Sequence, residues 1–335
     1  MKAVLLHAHG GPEALKVEEV ARPEPAADQV LIRIEAASVN FADIVRRRGD
    51  PYPLATPLPA ILGSEAAGVI EAVGEGVTAF HLGDRVFALF GGNGLGGYAD
   101  YALAGVADVI KLDPGLDLDI ASTLVVAGVT AFQMLNHAGR LKAGESVFIP
   151  GAAGGVGGYA IQLAKILGAG RIIAGASTPE RREQALARGA DDAVDYTSPD
   201  WPREVRRLTG GRGADVVLDM AGGPVFEQSL AALGPFGRLV VYGSASRAPS
   251  SLIAQRLMPF NQSVIGYYVS HWFSARPAEA QQAFDEVAAL VLEGRLKVEV
   301  AARLPLEGAA EAHRIMESRQ ATGKFVLKPA LSAAS

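Results

Sequence analysis

Up to about residue 120, the hydrophobic and polar positions alternate over short stretches. Leu31-Ile32-Arg33-Ile34-Glu35-Ala36 shows the in-and-out rhythm of a half-buried strand. The same reading predicts strands at Lys2–His7, Leu15–Val20, Gln29–Val39, Ala66–Val73, Arg85–Leu89 and Tyr98–Ala102. Gly-Gly-Pro, Arg-Pro-Glu-Pro, Gly-Glu-Gly and Leu-Gly-Asp turns separate them, and so many short strands imply a barrel or a sandwich.

The pattern then changes. Short apolar runs at Ser146–Pro150, Arg171–Gly175, Asp192–Asp195, Asp215–Asp219 and Arg238–Gly243 read as strands. They alternate with helical periodicity at Val156–Leu167, Pro179–Arg188, Asp200–Leu208 and Phe226–Leu233. Strand–helix alternation at this spacing predicts a parallel, doubly wound sheet. Beyond Ile265 the alternation stops. Helices at Ala278–Glu293 and Ala309–Ser318 and a strand at Lys324–Leu327 follow, then a small-residue tail from Ala330 that is expected to fray. The expected fold is α/β, with a doubly wound domain (124–265) inserted in a β-rich one (1–123 and 266–335).

Composition narrows the chemistry. The 335 residues are 49% hydrophobic and 20% charged, the balance of a globular protein, and the net charge is −5. No basic stripe marks a nucleic-acid surface. There is no cysteine, which removes disulfides, thiolate zinc sites and iron–sulfur clusters. The uncharged stretch Ile120–Gly139 is long enough to span a bilayer, but Ser122, Thr123, Thr130, Gln133, Asn136 and His137 interrupt it, so a buried helix fits better. The N-terminus is too short in apolar residues for a signal peptide, and a cytosolic protein is expected.

Gly151-Ala152-Ala153-Gly154-Gly155-Val156-Gly157 follows a strand and opens a helix. Glycines there let backbone approach a pyrophosphate, and the helix N-terminus offers unpaired N–H groups to its charge. A tight turn without ligand is the competing reading. The second strand ends in Gly175-Ala176-Ser177-Thr178, with none of the acidic residues that hold a ribose 2′-hydroxyl. Thr178 reads as a helix cap followed by Pro179, which puts Arg181 and Arg182 in the first turn. There they oppose the helix dipole unless a 2′-phosphate meets them, so NADP(H) is the expected cofactor. The alternative has both arginines in solvent, paired with Glu180 or Glu183. Arg46-Arg47-Arg48 reads as a solvated helix end, Asp219 as a cap for local backbone, and the six histidines as packing or surface residues.

The ordered set of motifs resembles the zinc-independent quinone oxidoreductase (zeta-crystallin-like) branch of the medium-chain dehydrogenase/reductase superfamily. The set comprises His9-Gly10-Gly11-Pro12-Glu13, Ser38-Val39-Asn40-Phe41-Ala42-Asp43, Gly63-Ser64-Glu65-Ala66-Ala67-Gly68, Gly83-Asp84-Arg85-Val86, the glycine turn, Gln162-Leu163-Ala164-Lys165 and Thr322-Gly323-Lys324-Phe325-Val326-Leu327. The resemblance implies a GroES-like β-barrel catalytic domain around an inserted Rossmann domain, and a cleft between them. Zinc-dependent members carry Gly-His-Glu where this chain has Gly63-Ser64-Glu65, so no metal is expected.

It further implies hydride transfer from NADPH to a quinone. Asn40 then donates from its amide, and Thr130 lies near the nicotinamide ribose. Gly154, Gly155 and Val156 cover the pyrophosphate, while Ser177, Thr178 and Arg181 hold the 2′-phosphate. Tyr196, Gly243, Ser244, Tyr267, Tyr268 and Lys324 match other cofactor-contacting positions. Gly49-Asp50-Pro51-Tyr52-Pro53 is similar instead to 2-enoyl thioester reductases, in which Tyr52 would supply a proton. Reduction of an α,β-unsaturated carbonyl is therefore an alternative, with Tyr52 as a mere wall aromatic the competing reading. A cofactor-binding, non-enzymatic crystallin-like or RNA-binding protein is a third. By the resemblance the partners are a small-molecule quinone or enone and a second copy of the chain in a homodimer, with no nucleic acid and no membrane.

Overall fold

The computed structural model describes residues 1–90, 94–318 and 321–330. It divides into two compact units, Met1–Val126 with Ser270–Ser335, and Ala127–Val269. The last residues of the tail, 331–335, lie outside the described residues, so the expectation of fraying is not addressed there.

The first unit is organised by one long strand, Gln29–Val39. Its length lets it serve several neighbours in turn. Residues 29–33 pair with Tyr101–Gly105, residues 37–39 with Lys324–Leu327, and the other edge with Glu65–Val73, all antiparallel. Two register shifts against Glu65–Val73 bend it, as bulges do in barrels. The inward residues Val30, Ile32 and Ile34 pack with Phe80, Phe90, Tyr98, Phe325 and Leu327 into one core. A smaller sheet joins Leu15–Glu19, Lys2–Leu6 and Ala60–Ile61.

Two expectations for this unit fail. The strand expected at Tyr98–Ala102 lies at Tyr101–Gly105. Tyr98 and Ala99 are fully buried and their backbone is spent elsewhere, Tyr98 bonding to Val4 and Leu62 and Ala99 making an isolated bridge to Ala3. Nor is Arg46-Arg47-Arg48 a solvated helix end. These residues close the helix Phe41–Arg48, and Arg46 and Arg47 are 1% and 0% exposed. Backbone carbonyls, a hydroxyl and a carboxylate accept from them: Arg46 donates to the Thr56 hydroxyl and the Gly94 and Ala55 carbonyls, and Arg47 to the Gly10 carbonyl and Glu317.

The second unit holds a six-stranded, wholly parallel sheet. Its order is Asp192–Val194, Arg171–Gly175, Ser146–Pro150, Ala214–Asp219, Leu233–Val241 and Ser263–Gly266. That is the Rossmann order, with the chain reversing direction of growth between Ser146–Pro150 and Ala214–Asp219. The sixth strand was not anticipated, because Ser263–Gly266 is a short, half-buried edge whose residues carry no alternation. Phe148 stacks on Trp201 at 4.8 Å in the core on one face.

The uncharged stretch after Ile120 is a buried helix of mixed winding, Leu118–Ala121 and Thr130–Gln133 being α-helical and Leu124–Val129 and Met134–Ala138 π-helical. Among the described residues, no helix is long and apolar enough to cross a membrane.

Candidate active site

In the Rossmann unit, the predicted residues follow the C-terminal ends of the strands. Gly151 has φ +69°, so the chain turns sharply out of Ser146–Pro150. Gly154, extended at φ −77°, then stands at the N-cap of the helix Gly155–Ile166 with no side-chain cap. The first-turn N–H groups of that helix, including those of Gly155 and Val156, thus lack intrahelical partners. A Cβ at Gly157 would meet the Gly151 carbonyl at 2.5 Å and Ala152 Cα at 2.6 Å. This close approach of helix to loop makes a cradle that fits a pyrophosphate.

Past the second strand, Thr178 caps the helix Pro179–Ala187, its hydroxyl accepting from the Arg181 N–H at 3.4 Å. The Thr178 hydroxyl also bonds Glu180 and holds that carboxyl below its usual range. Ser177 and Arg181 are half-buried. Arg182 turns to the Ala176 carbonyl (3.2 Å) and Asp195 (3.5 Å), and its charge also acts on Glu180. Tyr196 follows the strand Asp192–Val194 and packs against the core that contains Trp201.

Gly243 follows Leu233–Val241, where a Cβ would strike the Met220 carbonyl at 2.5 Å, and Ser244 beside it is exposed. After the sixth strand, Tyr267 donates to Gln133 Oε1 at 2.6 Å, its hydroxyl also engaging Thr130, while Tyr268 is half-buried. Burial pushes the Tyr267 phenol up, which keeps it a neutral donor. Asp219 does cap backbone, Oδ1 accepting from Ala221 and Gly222 at 2.9 and 3.2 Å.

The GroES-like unit holds a second constellation, and here the geometry goes beyond the sequence reading. Asn40 sits where Gln29–Val39 gives way to the helix Phe41–Arg48. Its Oδ1 accepts from Lys324 Nζ, and its Nδ2 lies 3.1 Å from both Ser38 Oγ and Glu65 Oε1. A donor on one side and acceptors on the other fix which amide atom is which. Ser38 Oγ itself donates to Glu65 Oε1, so the two acceptors stand side by side. At an O–H···O separation of about 2.7 Å they subtend roughly 50° at Nδ2, against roughly 120° between the amide hydrogens. One N–H can therefore serve both, which leaves the other without an acceptor among the described residues.

Around Asn40, charge is buried in depth. Glu65 is 0% and Lys324 5% exposed, and Lys324 Nζ lies 3.8 Å from Glu65 Oε1. Burial raises the Glu65 carboxyl and lowers the Lys324 ammonium, and each opposes the other's shift. Asp43 accepts from the Asn40 N–H (2.9 Å), Ser64 Oγ (2.8 Å) and Tyr98 Oη (3.0 Å), with burial pushing its carboxyl up. Ser64, at the position of the histidine in zinc-dependent members, thus turns its hydroxyl to Asp43. Among the described residues, no three His, Cys, Asp or Glu side chains group as a metal site. Tyr52 is half-buried, with the Arg46 guanidinium 5.4 Å from its ring centre.

Sequence reasoning found Asn40 and Lys324 but gave no role to Glu65, Ser38 or Asp43. Glu65 opens a buried strand of small residues, and a carboxylate there is itself the signal, since an acidic side chain is almost never fully buried without partners.

Two family models match the chain, an alcohol dehydrogenase GroES-like domain over residues 26–114 and a zinc-binding dehydrogenase over 155–289. A quinone oxidoreductase of Pseudomonas aeruginosa is 34% identical over 98% of this chain and 99% of its own. A 2-haloacrylate reductase of a Burkholderia species is 36% identical, covering 98% of each. The structure of an Escherichia coli quinone oxidoreductase complexed with NADPH superposes with a TM-score of 0.91, at 31% identity, over 98% of this chain and 100% of that one. Fold and site define a two-domain reductase of the Rossmann class. The chain belongs to the medium-chain dehydrogenase/reductase superfamily, in its quinone oxidoreductase branch.

Proposed function

We propose that this protein is an NADPH-dependent, zinc-independent reductase that transfers hydride to a quinone. The observation that carries the reading is the Asn40 amide, oriented by a buried lysine and carboxylate so that one N–H can turn to a ligand, in a chain without a cysteine. A quinone is already electrophilic, so it needs only alignment and a donor for the oxygen that gains charge. Bound NADPH supplies the hydride. Gly154, Gly155 and Val156 hold its pyrophosphate at the uncapped helix N-terminus, and Ser177, Thr178 and Arg181 hold the 2′-phosphate. Thr130, Tyr196, Gly243, Ser244, Tyr267 and Tyr268 line the rest of the cofactor, and Lys324 presses its ammonium on the Asn40 oxygen, sharpening the N–H as a donor.

A second reading, reduction of the C=C bond of an α,β-unsaturated carbonyl, is favoured by Tyr52. A phenol beside a guanidinium can give a proton to the enolate left by hydride addition. The relative named 2-haloacrylate reductase supports it. The protein works as a homodimer, joined at the open Ser263–Gly266 edge of the Rossmann sheet.

The test is binding of NADPH and NADH by nicotinamide fluorescence, in the wild type and Arg181→Ala, followed by NADPH consumption with quinones, enones and enoyl-CoAs. Wild type should prefer NADPH by about tenfold or more, or 1.4 kcal/mol, and the variant should lose that preference. Equal binding of both cofactors overturns the 2′-phosphate reading, and binding of neither overturns the reductase.

A further inference from the structure

Glu65 gathers four donors on one fully buried carboxylate. Ser38 Oγ and Asn40 Nδ2 reach Oε1, Lys324 Nζ stands 3.8 Å from the same oxygen, and the Val126 N–H reaches Oε2 at 2.9 Å. They come from three separate stretches of chain. Ser38 ends the long central strand, Asn40 begins a helix, Lys324 opens the strand paired to that central strand, and Val126 lies in the π-helical segment Leu124–Val129. A π-helical turn is a common mark of a functional segment, and here a carboxylate takes one of its N–H groups.

We infer that Glu65 is a positioning residue for the reduction, holding the Asn40 amide and the Lys324 ammonium in the one arrangement that leaves an Asn40 N–H free for the acceptor oxygen. The inference rests on the reductase reading above, and it names a residue to which that reading gives no role. Without the carboxylate, the Nδ2 group keeps only Ser38 Oγ, which itself loses the acceptor that holds its hydroxyl in place. Lys324 loses its nearest negative charge. A glutamine at 65 would set an amide donor or a neutral carbonyl against groups that now meet a charged acceptor.

Lys324 is faced by Glu65 and Asp43, and Tyr98 stands beside both carboxylates. Removing the Glu65 charge leaves Asp43 as the carboxylate that still favours the ammonium. The ammonium then loses its proton at lower pH.

The chain contains four asparagines, Asn40, Asn93, Asn136 and Asn261, so selective 15N-asparagine labelling gives four side-chain amide pairs. In the wild type, Asn40 should give one slowly exchanging, downfield N–H and one ordinary one, and the split should collapse in Glu65→Gln. An unsplit wild-type pair, or one that Glu65→Gln leaves unchanged, overturns the inference. In turnover, Glu65→Gln should lower kcat by about tenfold to a hundredfold, as misalignment of a donor does, with the KM for NADPH within about twofold. Its alkaline limb should move down by about one pH unit or more. Glu65→Asp keeps the charge and shortens the reach, so it should lose kcat but keep the alkaline limb. If Glu65→Gln does not fold, the wild-type amide pair and Glu65→Asp still decide. A wild type that reduces no acceptor but shows the split amide refutes the reductase and leaves the positioning intact. An active wild type matched by Glu65→Gln in kcat and pH profile does the reverse.

Discussion

His313 has the most exacting surroundings of the histidines. It is fully buried, and its Nε2 lies 3.3 Å from Tyr98 Oη, which donates onward to Asp43. The Tyr98 oxygen can therefore only accept from Nε2–H, and Nδ1 is left as a bare lone pair with no partner among the described residues. Protonation would place an unsatisfied N–H there, near the Arg47 guanidinium, and the imidazole is accordingly pushed down to about 3. The ordinary value is 6.5, so the unfolded chain takes up a proton below that pH and the native one does not until about pH 3. Stability from this group is complete above pH 6.5 and is lost as pH falls toward 3. Between pH 6.5 and 5 the loss is about 2 kcal/mol. Asp43 and Glu65, raised by burial, work in the opposite direction, and they do so alike in the wild type and in a variant at 313. Urea midpoints at pH 7.5 and 5 should therefore show a steeper decline for wild type than for His313→Gln. Parallel declines would mean that His313 takes up its proton within the fold. None of this could be read from the sequence, where His313 is one histidine without ligand spacing and its partners lie at Tyr98 and Asp43.

At the scale of elements, what was legible was local. The glycine turn, the helix capped by Thr178 and the strand at Lys324–Leu327 each carry their signal within a dozen residues, and the structure places them as read. What was not legible depends on residues far apart. The burial of Arg46 is decided by carbonyls at Ala55 and Gly94, and the strand at Ser263–Gly266 exists because Leu233–Val241 offers it an edge. Likewise the Asn40–Glu65–Lys324 cluster joins positions 25 and 284 residues from Asn40.

The glycine turn also yields a prediction that separates close approach from backbone strain. Gly157→Ala puts a methyl 2.5 Å from the Gly151 carbonyl, so helix and loop must part. Overpacking of this kind costs about 1–3 kcal/mol. The same displacement should weaken NADPH binding by about tenfold or more, because the phosphate cradle is the surface that moves. Gly144→Ala is the control. Its φ is +84° but nothing lies within 4 Å of the added methyl, so it should cost about 1–2 kcal/mol of backbone strain and leave NADPH binding unchanged. Thermal melts and fluorescence titrations of the pair decide. Equal losses of binding would mean that general destabilisation, not the cradle, controls affinity.

At the scale of the molecule, the six-stranded sheet leaves a strand with one side unpaired. Ser263–Gly266 bonds to Leu233–Val241 alone among the described strands, and its other N–H and C=O groups face outward. An open edge of this kind is a template for another strand, and natural proteins usually charge it or cover it. Here the segment just before the edge does neither. Ile253, Met258 and Phe260 are 64%, 72% and 51% exposed, three large apolar side chains in the stretch that leads into the open ladder. A second copy of the same edge, brought up by a two-fold axis as proposed above, would satisfy the ladder and cover these side chains, since such an interface is self-complementary. The chain should then run at about twice its 34.8 kDa in light scattering behind gel filtration. Met258→Lys with Phe260→Lys sets like charges across the axis and should give a monomer, with the nicotinamide-binding residues untouched. A wild type that elutes as a monomer, or a double variant that stays dimeric, would take the pairing off this edge and leave Ile253, Met258 and Phe260 to be explained by some other partner.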